Sequence, residues 1–207
     1  MQDSTFPTIG IATSPEALRA VYRFRYGVYV EEMARKQNYA NPAQKIITDP
    51  LDESGVNFVG RLEGQIVGVL RANLSRRGPI GSYESFYEMN RLGDDHPNKT
   101  SIATRLMVAP EFRRGTLAMR LILAMYDYGI RRGVRWNVMD CNDHLVPMFS
   151  GLGYVTHKAP DVHEEYGLVN VMRLDMLDQE RLRMLKSPYW PRLKEFFVHT
   201  TLTYEST

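Results

Sequence analysis

One stretch does most to limit what this chain can fold into. From Ser101 the residues run Ser-Ile-Ala-Thr-Arg-Leu-Met-Val, stop at Ala109-Pro110, and give way after Gly115 to a helical pattern. Leu117, Leu121, Ile122, Met125, Tyr128 and Ile130 supply an apolar face from Gly115 to Arg132, and Gly133 suits the C-terminal cap. A strand, a tight turn and a helix in that order leave the first backbone N–H groups of the helix without internal partners. With the positive end of the helix dipole, those donors suit a phosphate. Arg113, Arg114 and Gly115 stand at the mouth of that turn. An ordinary strand-to-helix turn with solvated arginines fits the same residues.

The flanking pattern completes a sheet. Thr8 to Ala12 reads as a strand, and Ser14-Pro15-Glu16 opens a helix whose apolar spacing lasts to about Glu32. Arg35 to Asp49 reads as a loop with room for one helical turn. Val56 to Leu62 and Gln65 to Leu74 are strands joined by Glu63-Gly64. Tyr83 to Met89 and Leu145 to Leu152 are short helices, and Val134 to Cys141, Tyr154 to Thr156 and Tyr166 to Met176 are strands. The tail from Leu177 to Val198 carries one or two helices split by Ser187-Pro188-Tyr189-Trp190-Pro191. This order predicts an α/β (α+β) fold, helices covering a mixed sheet. A main domain over residues 1–176 and a helical tail over 177–207 packed on it follow.

Composition narrows the class of partner. A net charge of +2 on 207 residues argues against a nucleic-acid binder. The basic residues are 20 arginines and six lysines, and arginine is the better fork for carboxylate and phosphate. Seven arginines lie between Arg105 and Arg135 against Glu111 and Asp127, a local charge of +5. A basic rim of that kind would steer an acidic partner or hold a polyphosphate. The lone Cys141 excludes a disulfide framework and a multi-thiolate zinc site, and no metal is expected. Met1 to Pro7 lacks a secretory pattern, and no apolar run nears the ~20 residues that cross a bilayer. The reading is a soluble cytoplasmic protein without an integral membrane segment.

Two segments together resemble the GNAT superfamily of N-acyltransferases. Val108-x-Pro110-x-x-Arg113 with Ala118 is similar to its donor-binding motif, and Met148-Phe149-Ser150-Gly151-Leu152-Gly153-Tyr154 to its later short helix ending in Leu-Gly-Tyr. Tyr22 to Glu32, Asp49-Pro50-Leu51-Asp52, Gly68-Val69-Leu70-Arg71 and Thr104-Arg105-Leu106-x-Val108 resemble the acyl-homoserine-lactone synthases and the N-acyl amino acid synthases. The resemblance spans roughly residues 15 to 175. It implies a mostly antiparallel central sheet flanked by helices. It also implies an acyl-phosphopantetheine donor, on acyl carrier protein or CoA, and a small amine acceptor. Thr116 replaces the motif's usual glycine, and Phe149 stands where many acetyltransferases place a proton-donating tyrosine. Ile102 stands near the lactone synthases' glutamate. These departures agree best with the acyl amino acid branch.

The implied reaction is attack of a neutral amine on a thioester, which needs an oxyanion donor and a proton acceptor. The resemblance places the oxyanion donor on the strand near Met107 and Val108, as a backbone N–H. Val108, Arg113, Arg114, Gly115, Thr116, Leu117 and Ala118 would bind the donor. Asp140 and His144 are the leading proton acceptors, with Asp143 also near; a surface histidine is the plainer reading of His144. Arg71 and Arg105 read either as a clamp for the acceptor's carboxylate or as a brace paired with Asp49 and Asp52, because a buried arginine needs a counter-charge. Cys141 reads as an inert buried thiol. Met119, Met125, Met139 and Met148 read as core or as the lining of an acyl tunnel. An acetyl-CoA-dependent N-acetyltransferase and a non-catalytic thioester-binding module stay open as alternatives.

Overall fold

The computed structural model describes residues 6–204. The reading of Met1 to Thr5, like that of the last three residues of the tail, lies outside them. Ten strands and six α-helices follow the chain: β1 (Thr8–Ala12), α1 (Pro15–Tyr26), β2 (Ala40–Asn41), β3 (Ile46–Ile47), β4 (Val56–Leu62), β5 (Gln65–Leu74), α2 (Tyr83–Phe86), β6 (Thr100–Val108), α3 (Leu117–Arg131), β7 (Trp136–Cys141), α4 (Val146–Leu152), β8 (Val155–Thr156), β9 (Asp161–His163), β10 (Gly167–Asp175), α5 (Gln179–Met184) and α6 (Tyr189–Tyr204).

The central sheet runs in the order β1-β4-β5-β6-β7-β10-β8, with β9 paired to β10. Every pairing in it is antiparallel except β6 with β7. That parallel contact is brief: Thr100–Ala103 pairs with Trp136–Met139, and no pairing continues beyond. Past Ala103 and Met139 the two strands part, which opens the middle of the sheet.

The edge of that opening is shaped by a bulge. Val69 pairs with Met107 but Arg71 pairs with Thr104, so Arg105 and Leu106 together face Leu70. Arg105 takes φ +60°, a conformation rare outside glycine. Such a bulge re-aims the side chains that follow it.

Both faces of the sheet are covered. On one side Leu70, Phe58 and Leu174 pack against Leu121, Met125 and Tyr126 of α3 and Leu182, Tyr189 and Leu193 of the tail. Tyr126 and Tyr189 stack at 4.1 Å. On the other, Val21 and Tyr26 of α1 cover Val59, Val69 and Met107, and Tyr87, Met89 and Ile80 cover Ile102, Val138 and Val171. Gly60 and Gly68 face each other across β4 and β5, and Leu117 lies against both. A Cβ on Gly60 would stand 2.6 Å from Leu117 Cδ1, so the missing side chain lets the start of α3 rest on the sheet.

Several elements differ from the sequence pattern. The α1 stripe does reach Glu32, but its last six residues, Gly27–Glu32, form a wider π-turn. The supposed loop contains the β2–β3 hairpin: the Asn41 side chain accepts from Gln44 N–H at 3.1 Å, and Ile47 is buried against α1. The short β9 was missed because Asp161, Val162 and His163 show no alternation of burial. Pro191 does not break the tail, because it falls in the first turn of α6, where its missing N–H is not needed.

Candidate active site

A cavity of about 490 Å³ lies where β6 and β7 part. Its lining is mixed. Leu70, Ile122, Met125, Met139 and Phe149 contribute apolar side chains that belong to one core cluster, and Arg35, Tyr83, Asp140 and Tyr166 contribute polar ones. A second, wider cleft of about 720 Å³ lies beside it, lined by Asp49, Ser54, Arg77, Ser82, His163 and Glu164. Tyr83 and Arg105 belong to the walls of both.

Asp140 sits at the end of β7 and accepts a hydrogen bond from the Tyr87 hydroxyl. Burial pushes its carboxyl above the usual range, against the Tyr87 bond and the nearby His163 and Arg105, which pull it down. His163 rests on Tyr166 with ring centres 4.5 Å apart, and its Nδ1 accepts from Glu165 N–H at 3.1 Å. His144, the other expected proton acceptor, is exposed on the turn Asp143–Leu145 and lines the same cavity.

The two residues expected to offer an oxyanion donor, Met107 and Val108, turn their backbone N–H groups to opposite sides. Ala109 N–H donates to Val67 O at 2.9 Å, and Val69 pairs with Met107 in the same register. Backbone donors alternate sides along an antiparallel strand. Met107 N–H is therefore turned to β5 and used by the ladder. Val108 N–H is turned to the gap, where β7 no longer pairs. On that same side the Val108 carbonyl accepts from Arg113 Nε at 2.9 Å.

Arg71 and Arg105 are both paired with acidic side chains, as a brace requires. Arg71 is fully buried and donates to Asp49 Oδ1 at 2.6 Å, Asp52 Oδ1 at 3.0 Å and Thr104 Oγ1 at 3.1 Å. Arg105 donates to Gln37 Oε1 at 2.6 Å and Asp49 Oδ2 at 2.9 Å. A third guanidinium, Arg25, forks onto Asp52 at 2.9 and 2.7 Å and reaches Asn57 Oδ1 at 2.6 Å. Burial alone would raise the Asp52 carboxyl; Arg25 and Arg71 reverse that and hold it below the usual range. The sequence carries a signal for Arg25: it falls four residues after Val21, on the apolar stripe of α1, where a charge must have a partner.

The donor-motif residues spread along the turn before α3. Arg113 pairs with Glu32 at 2.6 Å, so its charge is already matched. Arg114, Gly115 and Thr116 are exposed, Leu117 is buried, and Ala118 is half-buried. The helix begins at Leu117, and Thr116 precedes it with no side-chain capping bond, which leaves the first amides of α3 open. The backbone at Thr116 is right-handed (φ −90°, ψ 0°), so no glycine is required there.

The basic segment does not gather into one rim. α3 is 15 residues long, about 22 Å at 1.5 Å per residue, so Arg131 and Arg132 lie at the far end. Arg135 pairs with Asp95 and Asp175, and Arg120 donates to Pro7 O. Proximity in sequence overstated the field at the turn.

Cys141 lines the cavity, but burial raises its thiol to about 11, consistent with an inert group. Among the described residues no three His, Cys, Asp or Glu side chains are grouped to hold a metal ion, and no helix is long and apolar enough to cross a membrane.

Comparison with known proteins places these features. The sequence model of the N-acyl amino acid synthase FeeM matches residues 20–175. The structure of BjaI, a CoA-dependent acyl-homoserine lactone synthase, aligns with a TM-score of 0.67 at 18% identity, over 88% of this chain and 90% of that one. FeeM, an N-acyl amino acid synthase from uncultured soil microbes, aligns with a TM-score of 0.65 at 12% identity, over 83% and 91%. Escherichia coli ElaA aligns with a TM-score of 0.57 at 14% identity, over 81% and 99%. No curated protein sequence matches. The mixed, mostly antiparallel sheet flanked by helices is thus shared with proteins of GNAT-like fold.

Proposed function

The chain belongs to the N-acyl amino acid synthase family and is an N-acyltransferase, and on that premise we propose that it moves a medium or long acyl chain from a thioester of acyl carrier protein or CoA to the amine of an amino acid or similar small molecule. The observation that supports this reading is the cavity between β6 and β7 and its mixed lining. Leu70, Ile122, Met125, Met139 and Phe149 suit an acyl chain, and the half-buried Asp140 shares the lining with Val108, whose backbone N–H is turned to the gap. A site for an acetyl group alone would have no use for so many apolar side chains.

In this reading the acceptor enters as an ammonium and Asp140 takes its first proton. The raised carboxyl makes Asp140 a better acceptor than an ordinary aspartate. The free amine attacks the thioester carbonyl, and Val108 N–H stabilises the oxygen that becomes negative. Collapse breaks the C–S bond. The proton still carried on nitrogen after attack satisfies the departing thiolate, so no side chain need replace the tyrosine that Phe149 displaces. Arg114 and the first amides of α3 hold the donor's phosphate. His144, at the exposed mouth, relays the released proton to solvent.

The test is direct. The purified protein is mixed with acyl-carrier-protein and acyl-CoA thioesters of two to sixteen carbons and a panel of amino acids, and amide is measured by mass spectrometry. Amide from medium or long donors is the expected result. Turnover confined to acetyl-CoA, or thioester binding without amide from any amine, overturns the reading.

A further inference from the structure

Four guanidinium groups in and behind the site already have a carboxylate. Arg25 has Asp52, Arg71 has Asp49 and Asp52, Arg105 has Asp49 with Glu165 at 3.7 Å, and Arg113 has Glu32. An amino acid acceptor brings a carboxylate of its own, and each of these four is already charge-matched. A fifth is not. Arg35 lines the cavity, is half-buried, and has no ion-pair partner among the described residues. Its guanidinium carbon lies 5.9 Å from the centre of the Tyr166 ring, which it shares with Arg105.

The local fold explains how Arg35 comes to be there. The π-turn ends with Met33 N–H bonded to Val28 O at 3.0 Å. Ala34 then adopts φ +51°, and Arg35 N–H donates back to Tyr29 O at 2.8 Å. This reversal returns the chain toward Tyr29, and it places Arg35 against Tyr166 in the lining that also includes Asp140. An unpaired guanidinium held against an aromatic ring is preorganised to fork onto a carboxylate.

We propose that Arg35, the cavity guanidinium without a carboxylate of its own, is the clamp for the acceptor's carboxylate, and that the enzyme therefore selects α-amino acids over plain amines. The inference rests on the functional reading above: the acceptor is held at its carboxylate by Arg35 while its amine faces Asp140. The same oxyanion chemistry would also suit the donor's phosphate, and the kinetic arms separate the two sources.

The best amino acid from the panel is compared with its own decarboxylated amine on the wild-type chain, then on Arg35→Gln and Arg35→Lys. The wild type should favour the amino acid, and Arg35→Gln should raise the acceptor KM about 10- to 100-fold, the range for a lost charge-assisted bond. The amine's kinetics and the donor KM should not move. Arg35→Lys, which keeps the charge without the fork, should lie between and guards against misfolding of the glutamine variant. Equal use of amine and amino acid by the wild type overturns the clamp while leaving acyl transfer intact. A rise in donor KM instead assigns Arg35 to the phosphate and also overturns it. Absence of product with either class overturns the functional reading and the inference with it.

Discussion

Tyr87 and Asp140 are joined by a hydrogen bond from the phenol to the carboxylate, across the gap between the segment covering the sheet and the end of β7. Tyr87 is wholly buried, so the pair has a dry side against the core and a wet side in the cavity. The bond opposes burial: desolvation raises the carboxyl and the phenol lowers it.

If Asp140 is the proton acceptor, activity requires it ionised, and the rate should fall as pH drops through its raised value. The acid limb of kcat/KM should then lie above the ordinary aspartate range near 4. Tyr87→Phe removes a group that holds the carboxyl down, so the limb should move to higher pH while the plateau changes less. A limb that stays in place in Tyr87→Phe, or survives in Asp140→Asn, argues for another base, with His144 next to be tested.

The brace makes a separate prediction about stability. Asp52→Asn leaves Arg25 buried without its counter-charge and should cost about 3–5 kcal/mol. Urea denaturation measures it. The sign with pH is fixed as well. Because Asp52 is held below its unfolded value, its contribution is complete above about pH 4 and is lost as pH falls through the lowered one. The wild type should therefore lose more stability on acidification than Asp52→Asn; parallel curves would show that the aspartate is not the group concerned.

Met125 tests the apolar lining. It is buried on α3 and lines the cavity together with Ile122 and Phe149. Met125→Trp should fill part of the cavity and shift the preferred thioester to a shorter chain, with about a fourfold loss per methylene excluded, from ~0.8 kcal/mol each. Competition among mixed thioesters of graded length reads the shift directly. An unchanged chain profile would place the acyl group elsewhere.

Gly60 links the sheet to the donor turn. Gly60→Ala puts a methyl where Leu117 now packs, and Leu117 is the first residue of α3. The expected cost is about 1–3 kcal/mol for overpacking. The donor KM should rise too, because the amides that would meet its phosphate shift with the helix. A loss of stability with an unaltered donor KM would separate the helix terminus from donor binding.

Strands and helices with strong patterns were readable because their spacing reports burial directly, as in β4, β5 and α3. The β2–β3 hairpin was not, since its strands are two residues long and depend on a single buried contact at Ile47. The site divides along the same line. Asp140 and the β6 segment could be read from position in a strand. His163 and Arg35 could not, because they reach the walls of the two clefts from loops and short elements whose path is set by tertiary contacts rather than by any local period. The charge count misled for a related reason: a helix carries its two ends far apart, and a sum along the chain ignores that distance.

The four-residue pairing of β6 with β7 has a genetic corollary. The donor at Val108 is a main-chain group, common to nineteen of the twenty residue types, so exchanging the side chain there leaves it in place. Only proline, which has no N–H, deletes it. A saturation library at Val108 should thus show graded effects of size and shape with one categorical loss. Drift at that codon can remodel the neighbourhood of the reaction without discarding the reaction itself.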